Sequence, residues 1–433
     1  MGLISHHHHD NSSQKAVCNM PRPLRETPTD PVVGGLSFYH LNMAVAGACA
    51  AFSCISIFAL MVRHATHLSN PNEQLKIMRI CAVIPAYAIL SFVAIAAPAA
   101  FAYVNPWIDV FQAVALGDFF LLMSEYITPD AKHRDLFLSA LVIPQKKKGR
   151  APLDGVSWYR KRWIAIFQYV VVSLLVAVVT DITEGANVYC LESSDRHFAH
   201  LWLNIIHTVS LVVAVVSVLG FYQVLKGELA SHRPLAKLLA FKLIVSITFL
   251  IHIIYWILSD LSSSPLSPTA KMNYADIRVG VPLLVVCITM VPFSIFFHWA
   301  YSVTPYLITS GWDAVSPAAD GVADGRQKLG GGGAPRHGSY QGGRLGYRAW
   351  LALLNPSEII QAVLFAFKMA AKTEEREGIA MGRTGRGGSG PSGGRRTHDA
   401  NVVYQGQSRT AGDHGAAGVQ QGYRHSEAPR YQN

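Results

Sequence analysis

The sequence is poor in charge: Asp, Glu, Lys and Arg make up 15% of its 433 residues, against 51% hydrophobic residues. Such averages fit a large soluble protein only when the apolar residues are dispersed, and here they are not. Cysteine is scarce too, six in all. Cys49, Cys54, Cys81 and Cys287 fall inside apolar runs, where cysteine behaves as a small hydrophobe, so there is no disulfide framework. No His, Cys and Asp residues share metal-ligand spacing and no serine sits in a nucleophile elbow, so no metal site, cofactor or enzyme activity is expected. Gly330 to Gly333 lack the Lys-Ser/Thr and the strand of a phosphate loop. Residues 1–38 hold no apolar core of a cleaved signal, so the first long run is expected to direct insertion itself. Met1-Gly2-Leu3-Ile4-Ser5-His6 lacks the hydroxyl residue of a myristoylation start, and the short histidine run His6 to His9 is assigned no site.

What the sequence has is long apolar runs: Tyr39–Val62, Ile80–Val104, Trp107–Ile127, Trp163–Ile182, Leu201–Leu225, Leu238–Leu258 and Val279–Tyr301. Each has the ~20 residues that an α-helix needs to cross a hydrocarbon core of about 30 Å. Trp and Tyr cluster at their ends as an interfacial belt. The fold class expected is therefore all-α, a seven-transmembrane-helix bundle. Asn105 and Pro106 read as the cap and opening residue of the third span, which places a tight turn there.

Lys and Arg set the orientation. The loops after spans one, three and five carry fifteen of them, or sixteen with Lys242 just inside the sixth run, and the loops after spans two, four and six carry three. The positive-inside rule puts the first set in the cytosol, the N-terminus outside or lumenal and the C-terminus in the cytosol. The net charge of +10 then follows from basic inner loops beside anionic lipid, and no nucleic-acid partner is needed. Asn11-Ser12-Ser13 is a glycosylation sequon on the outer side. Cys18 and Cys190 also fall on the outer side, where an oxidising lumen permits a bridge between them. In the loop between spans three and four, Leu136 to Ile143 is too short to span; it is expected at the inner interface, with Lys146, Lys147 and Lys148 meeting headgroups, or as a plain solvated loop.

Within the third span stand Gln112, Asp118 and Glu125. Asp118 falls near the middle of the run, where an ionised carboxylate costs roughly 3 kcal/mol, so it must face protein or water. Asp118 and Glu125, seven apart, share one helix stripe about 10 Å apart along the axis. They form either a polar track through the bundle or buried, hydrogen-bonded carboxyls that lock helices together.

The chain divides into an outer tail 1–38, a membrane domain 39–306, a Gly-rich linker 307–346 expected to be disordered, a helix 347–376, and a low-complexity tail 377–433. In the helix, Asn355, Pro356 and Glu358 read as N-cap, first turn and N3, and Ile359, Ile360, Val363, Leu364, Phe367 and Met369 crowd one side. An amphipathic cytosolic helix of this kind lies on the bilayer, docks on the bundle or recruits a partner. Trp350 and Leu353 have the aromatic-x-x-Leu form read by ubiquitin-like autophagy modifiers, without a closely preceding acidic residue, and are the partner-binding candidates.

Several blocks carry a family resemblance. HATHLSNPNEQLKIMRICAVIPAYAILSF (His64 to Phe92) resembles the block after the first span of the organic solute transporter alpha-like family, which includes the transmembrane protein 184 group. FQAVALGDFFLLMSEYI is similar to its third span, SHRPLAKLLAFK (Ser231 to Lys242) to the start of its sixth, and VVCITMVPFSIFFHWAYSVTPY (Val285 to Tyr306) to its seventh. The resemblance implies seven spans with the N-terminus outside, handling of organic solutes including sterol derivatives, and plasma-membrane or vacuolar/lysosomal location. Members of the solute transporter type work with a single-span partner subunit. The chain departs from the family pattern at Gln112 and Asp118, in Phe249-Leu250-Ile251, and at Thr289. It also lacks the cysteine cluster between spans three and four, so palmitoylation there is not expected.

Two functions follow. One is an organic-solute transporter or transport subunit for amphipathic anions or sterol conjugates, with Gln112, Asp118, Glu125, His252, Thr289 and His298 as transport-path candidates. The other is a vacuolar or endosomal membrane scaffold whose tail helix recruits cytosolic partners. Besides the bilayer and the solute, the partners expected are a single-span subunit or a second copy of the chain, and a tail-binding protein. A receptor has the same layout, but Ser124-Glu125-Tyr126 lacks the basic residue of an Asp-Arg-Tyr motif, and the seventh span has neither Asn-Pro-x-x-Tyr nor a lysine.

Overall fold

Long stretches without charge leave the backbone no choice in lipid but to satisfy its own polar groups, and the helix does so within one segment. The computed structural model describes Cys18 and residues 29–128, 130–143, 153–191, 193, 195–229, 237, 250–251, 254, 257–258, 267–307 and 340–384. These residues are mostly helical. By length and composition seven stretches could cross a membrane: Phe38–Thr66, Pro71–Ala96, Pro98–Ile127, Gly155–Gly185, Ala199–Leu229, Asp276–Tyr306 and Arg344–Ala371. Six coincide with expected spans. The expected sixth span, Leu238–Leu258, falls almost wholly outside the described residues, and the tail stretch Arg344–Ala371 stands as the seventh of the set.

Helix α1 is Phe38–Thr66. The second span begins earlier than its apolar run suggests, at Pro71, because Pro opens the helix and Gln74 Oε1 accepts the free N–H groups of Ser69 and Asn70 at 2.8 and 2.9 Å. Pro85 has no N–H for the Cys81 carbonyl, and the span is interrupted at Ala82 into α2 (Pro71–Cys81) and α3 (Val83–Ala96). The turn expected at Asn105-Pro106 is not there. The chain turns at Ala97, whose φ of −134° and ψ of 79° lie outside the helical region that a following proline disfavours, and Pro98–Ala100 make a 3-10 turn. Helix α4 then runs unbroken from Phe101 to Ile127 with Pro106 inside it.

Helices α5 (Ala131–Ala140), α6 (Gly155–Gly185) and α7 (Ala199–Leu229) follow. Between α5 and α6 a two-residue antiparallel pair joins Val142–Ile143 to Leu153–Asp154. The apolar piece of this loop is thus split between a helix and a strand, with Leu138 buried and Leu136 exposed. Asp154 caps α6 by accepting from the Ser157 N–H at 2.9 Å, and this bond holds its carboxyl below the usual range. A π-helical turn, Asp276–Gly280, leads into α8 (Val281–Ala300). Cys18 and Cys190 are joined by a disulfide with Cα atoms 5.8 Å apart. The tail forms α9 (Tyr347–Leu353) and α10 (Ser357–Thr384), broken at Asn355-Pro356.

Helix α4 is the hub. It packs on α2, α3 and α6; α6 packs on α7; and α1, α3 and α8 form the other wall. Phe120 of α4 meets Trp163 of α6 and Phe221 of α7 edge-on, with ring centroids 5.5 and 5.0 Å apart. The outer faces of α1 and α7 are apolar as well: Ile55, Phe58, Val209 and Val216 are exposed. Helices apolar on every side belong in a bilayer, and the chain is an integral membrane protein.

Candidate functional site

Gln112, Asp118 and Glu125 stand along α4, and at 100° per residue they fall on two faces. Asp118 and Glu125 lie within about 20° of each other, whereas Gln112 points about 120° away from Asp118. The bundle uses the two faces differently.

Asp118 is fully buried, and its Oδ1 lies 3.4 Å from Nη1 of Arg79 on α2. The same guanidinium nitrogen donates to Glu358 Oε2 of the tail at 2.7 Å. The other, Nη2, donates to the carbonyls of Ala352 and Asn355 at 3.2 and 3.1 Å. Lys76, one turn earlier on α2, holds Glu358 Oε1 at 2.7 Å. Two cations of the second span therefore clasp one carboxylate of the tail helix and, more loosely, one of the third span. Glu125, further along the stripe, meets Asn72 and Arg134 at 3.4 and 3.5 Å. The expected N3 role of Glu358 is thus replaced by an ion pair across 279 positions of sequence. Asn355 does act at the helix start, its Oδ1 accepting from the Ser357 N–H at 3.0 Å.

Gln112 belongs to a second, largely neutral cluster. Its Oε1 accepts from the Tyr87 hydroxyl of α3, and its Nε2 donates to the Tyr169 hydroxyl of α6 at 3.1 Å. Tyr169 Oη lies 3.4 Å from His207 Nε2 on α7, which lies 3.8 Å from Asp109 Oδ2 back on α4. A ribbon of hydrogen-bonding groups thus crosses four helices. Sequence reading found only Gln112 of it, because a lone Tyr or His in an apolar run gives no sign of which neighbour it will meet.

The remaining candidates are scattered. His298 of α8 binds Ser56 of α1 through the backbone oxygen at 3.0 Å and the hydroxyl at 3.2 Å. Thr289 donates to the Val286 carbonyl of its own helix at 2.8 Å. Trp350 stacks on Phe58 with centroids 5.4 Å apart, and Leu353 packs against the core, so both face the bundle. His252 and Asn11 lie outside the described residues. Among the described residues no group of three or more His, Cys, Asp or Glu side chains could hold a metal ion.

A third cluster explains why the first and last quoted blocks occur together. His64 Nε2 lies 3.0 Å from the Tyr301 carbonyl, Gln74 Nε2 lies 3.5 Å from His64 Nδ1, and the Tyr306 hydroxyl donates to Glu73 at 2.7 Å. Beside them the Lys237 ammonium donates to the Tyr126 hydroxyl and sits 4.5 Å from its ring centroid. The signal for this cluster was the polar residues inside otherwise conventional span ends.

Comparison with known proteins places this architecture. The profile of the organic solute transporter Ostalpha family matches residues 42–306. The chain is 25% identical over 286 residues to a transmembrane protein 184 homolog of Dictyostelium discoideum, covering 63% of this chain and 54% of that protein. It is 25% identical over 303 residues to Protein LAZ1 of Arabidopsis thaliana, covering 63% and 61%, and 24% identical over 214 residues to the vacuole membrane protein hfl11 of Schizosaccharomyces pombe, covering 47% and 50%. The chain thus spans 50 to 61% of the length of these relatives. No solved structure matches. With the match extending from α1 to the end of the span built on α8, the chain belongs to the organic solute transporter Ostalpha family.

Proposed function

We propose that the protein is a transporter, or the transport subunit of a transporter, for amphipathic organic anions or sterol conjugates. The observation that carries this is the ribbon Tyr87–Gln112–Tyr169–His207, buried across four helices of a chain whose family is one of organic solute transporters. Polar groups inside a membrane bundle are costly and lie where a solute or water must be met. The N-terminus is outside or lumenal and the C-terminus cytosolic, as the basic loops require, and the membrane is vacuolar/lysosomal, endosomal or plasma membrane. The membrane domain is 39–306, with a single-span subunit or a second copy as its partner. The tail stretch lies beside the membrane rather than across it: it is broken at Asn355, and its apolar part from Ile359 to Ala371 is about 20 Å long against the roughly 30 Å of a hydrocarbon core.

Purified protein in proteoliposomes is expected to move a steroid sulfate or another amphipathic anion from a small panel faster than empty vesicles do, and Gln112→Leu is expected to remove that excess. A second reading, a membrane scaffold, is favoured by the apolar side chains that the tail leaves exposed: Leu351, Leu354, Leu364 and Phe367. Flux equal to empty vesicles, with a cellular phenotype lost on deleting residues 347–376, would put that reading in the first one's place.

A further inference from the structure

We infer that Lys76 and Arg79 form a binding site for the anionic group of an amphipath, and that Glu358 of the chain's own tail helix fills that site when the tail is docked. Two observations carry it. The first is the geometry of the clasp: Glu358 presents one oxygen to each cation, both at 2.7 Å, and the outer guanidinium nitrogen of Arg79 is held by the tail carbonyls of Ala352 and Asn355. Apart from the Lys76 bond to the Asn72 carbonyl and the longer contact from Arg79 to Asp118, every hydrogen-bonding partner of these cations among the described residues belongs to the tail. When α9 and α10 lift, they leave together. The second is Asp118, wholly buried at the inner wall, whose Oδ2 has no hydrogen-bond partner. Asp118 is then the one carboxylate among the described residues within salt-bridge distance of either cation, and Glu125, the other carboxylate acting on Lys76, is itself paired with Arg134, so the pair is left with a surplus of positive charge.

A guanidinium beside an ammonium suits a carboxylate, a sulfate or a phosphate. The bed beneath the tail suits the rest of an amphipath. A Cβ on Gly117 would stand 3.1 Å from Phe167, so the glycine lets α6 lie close on α4, and Ile359 of α10 lies at ordinary contact distance over the same spot. Trp163 both donates to the Ala362 carbonyl at 2.9 Å and meets Phe365 edge-on at 5.4 Å. Undocking exposes an apolar floor with a cationic rim. Tail and anion therefore compete for one place, and by linkage each weakens the other. This deepens the transport reading and relies on it only for the natural ligand: a solute's anionic group or a lipid headgroup offers the same chemistry.

The test uses the full chain in neutral detergent, with a labelled steroid sulfate as probe and hydrogen exchange of residues 347–371 as the measure of docking. Glu358→Gln is expected to tighten probe binding roughly five- to tenfold, because the competent undocked state no longer has to be released from the clasp. Probe added to the wild-type chain is expected to speed exchange across the tail. Lys76→Gln and Arg79→Gln are each expected to weaken binding at least ~10-fold, as loss of a paired charge does. Unfolding midpoints identify a variant that fails to fold, and Lys76→Gln, at the less constrained cation, then decides. Phosphatidylserine nanodiscs that speed tail exchange while the sulfate does not would assign the site to lipid. Unchanged probe affinity in Glu358→Gln with the tail released, or equal probe binding by Lys76→Gln, would overturn the proposal. Absence of flux with this competition intact would overturn the transport reading alone.

Discussion

The two polar clusters on α4 sit about 10 Å apart along one helix and answer the cost of burial in opposite ways. Around Asp118 the solution is charge against charge, with Arg79 and Lys76 drawn from α2 and Glu358 from the tail. Around Gln112 it is a ribbon of amide, hydroxyl and imidazole groups, with Gln112 accepting from Tyr87 and donating to Tyr169. A buried ion pair is sensitive to loss of one partner, which strands a charge; a neutral ribbon loses only hydrogen bonds. With the tail docked, the first cluster holds helices and tail together, and its two cations become available to an anionic group only when the tail lifts. The second is left as the place where a neutral polar group of a solute could exchange with protein partners at low cost.

The sharpest way to break this contrast is Arg79→Met, which strands Asp118. It is expected to cost about 3–5 kcal/mol of stability, seen as a collapse of the unfolding midpoint in detergent, with partial rescue by the double change Arg79→Met with Asp118→Leu. Gln112→Leu is expected to cost less, about 1–3 kcal/mol for the two hydrogen bonds with Tyr87 and Tyr169, while removing more flux. A larger stability loss at Gln112 than at Arg79 would erase the distinction. Asp118→Asn keeps the shape and removes the charge; it is expected to reduce flux while Arg79 remains on Glu358, and unchanged flux in proteoliposomes would separate the charged cluster from transport. Trp163→Phe deletes the hydrogen bond to the Ala362 carbonyl, so about 1 kcal/mol should be lost from tail docking, read as faster exchange over residues 357–371.

The smallest effect is at the α6 cap, remote from both clusters. Asp154→Ala should lower stability by about 1 kcal/mol at neutral pH. The Asp154 carboxyl lies below its ordinary value because it accepts from Ser157. The cap's contribution is thus complete above the unfolded value, near pH ~4, and fades as pH falls through the folded one. Wild type and Asp154→Ala should therefore converge under acid unfolding, and a gap that widens on acidification would contradict the assignment.

How far the sequence reached can be judged element by element. Apolar runs of bilayer length located six of the described spans, because hydrocarbon thickness sets helix length and this shows in any window of about 20 residues. The turn was misplaced by eight residues, since Asn105-Pro106 has the local form of a helix start while Ala97-Pro98 actually breaks the chain. Local form was ambiguous there: both pairs precede apolar helix, and only packing against α3 and α6 decides which proline the helix absorbs. Asp118 and Glu125 were correctly put on one stripe from their spacing, but the residue that Asp118 meets was not legible.

Length, apolarity and basic-loop asymmetry, then, were matters the chain could settle alone, because each reflects how a short segment interacts with lipid or water. Which polar side chains share a cluster was settled only by tertiary structure. Arg79 and Glu358 are 279 positions apart, and His207 reaches Tyr169 only because α6 and α7 lie side by side. Burial makes an unpaired polar group expensive without naming its partner; the partner is whichever group the helix packing brings within about 3 Å.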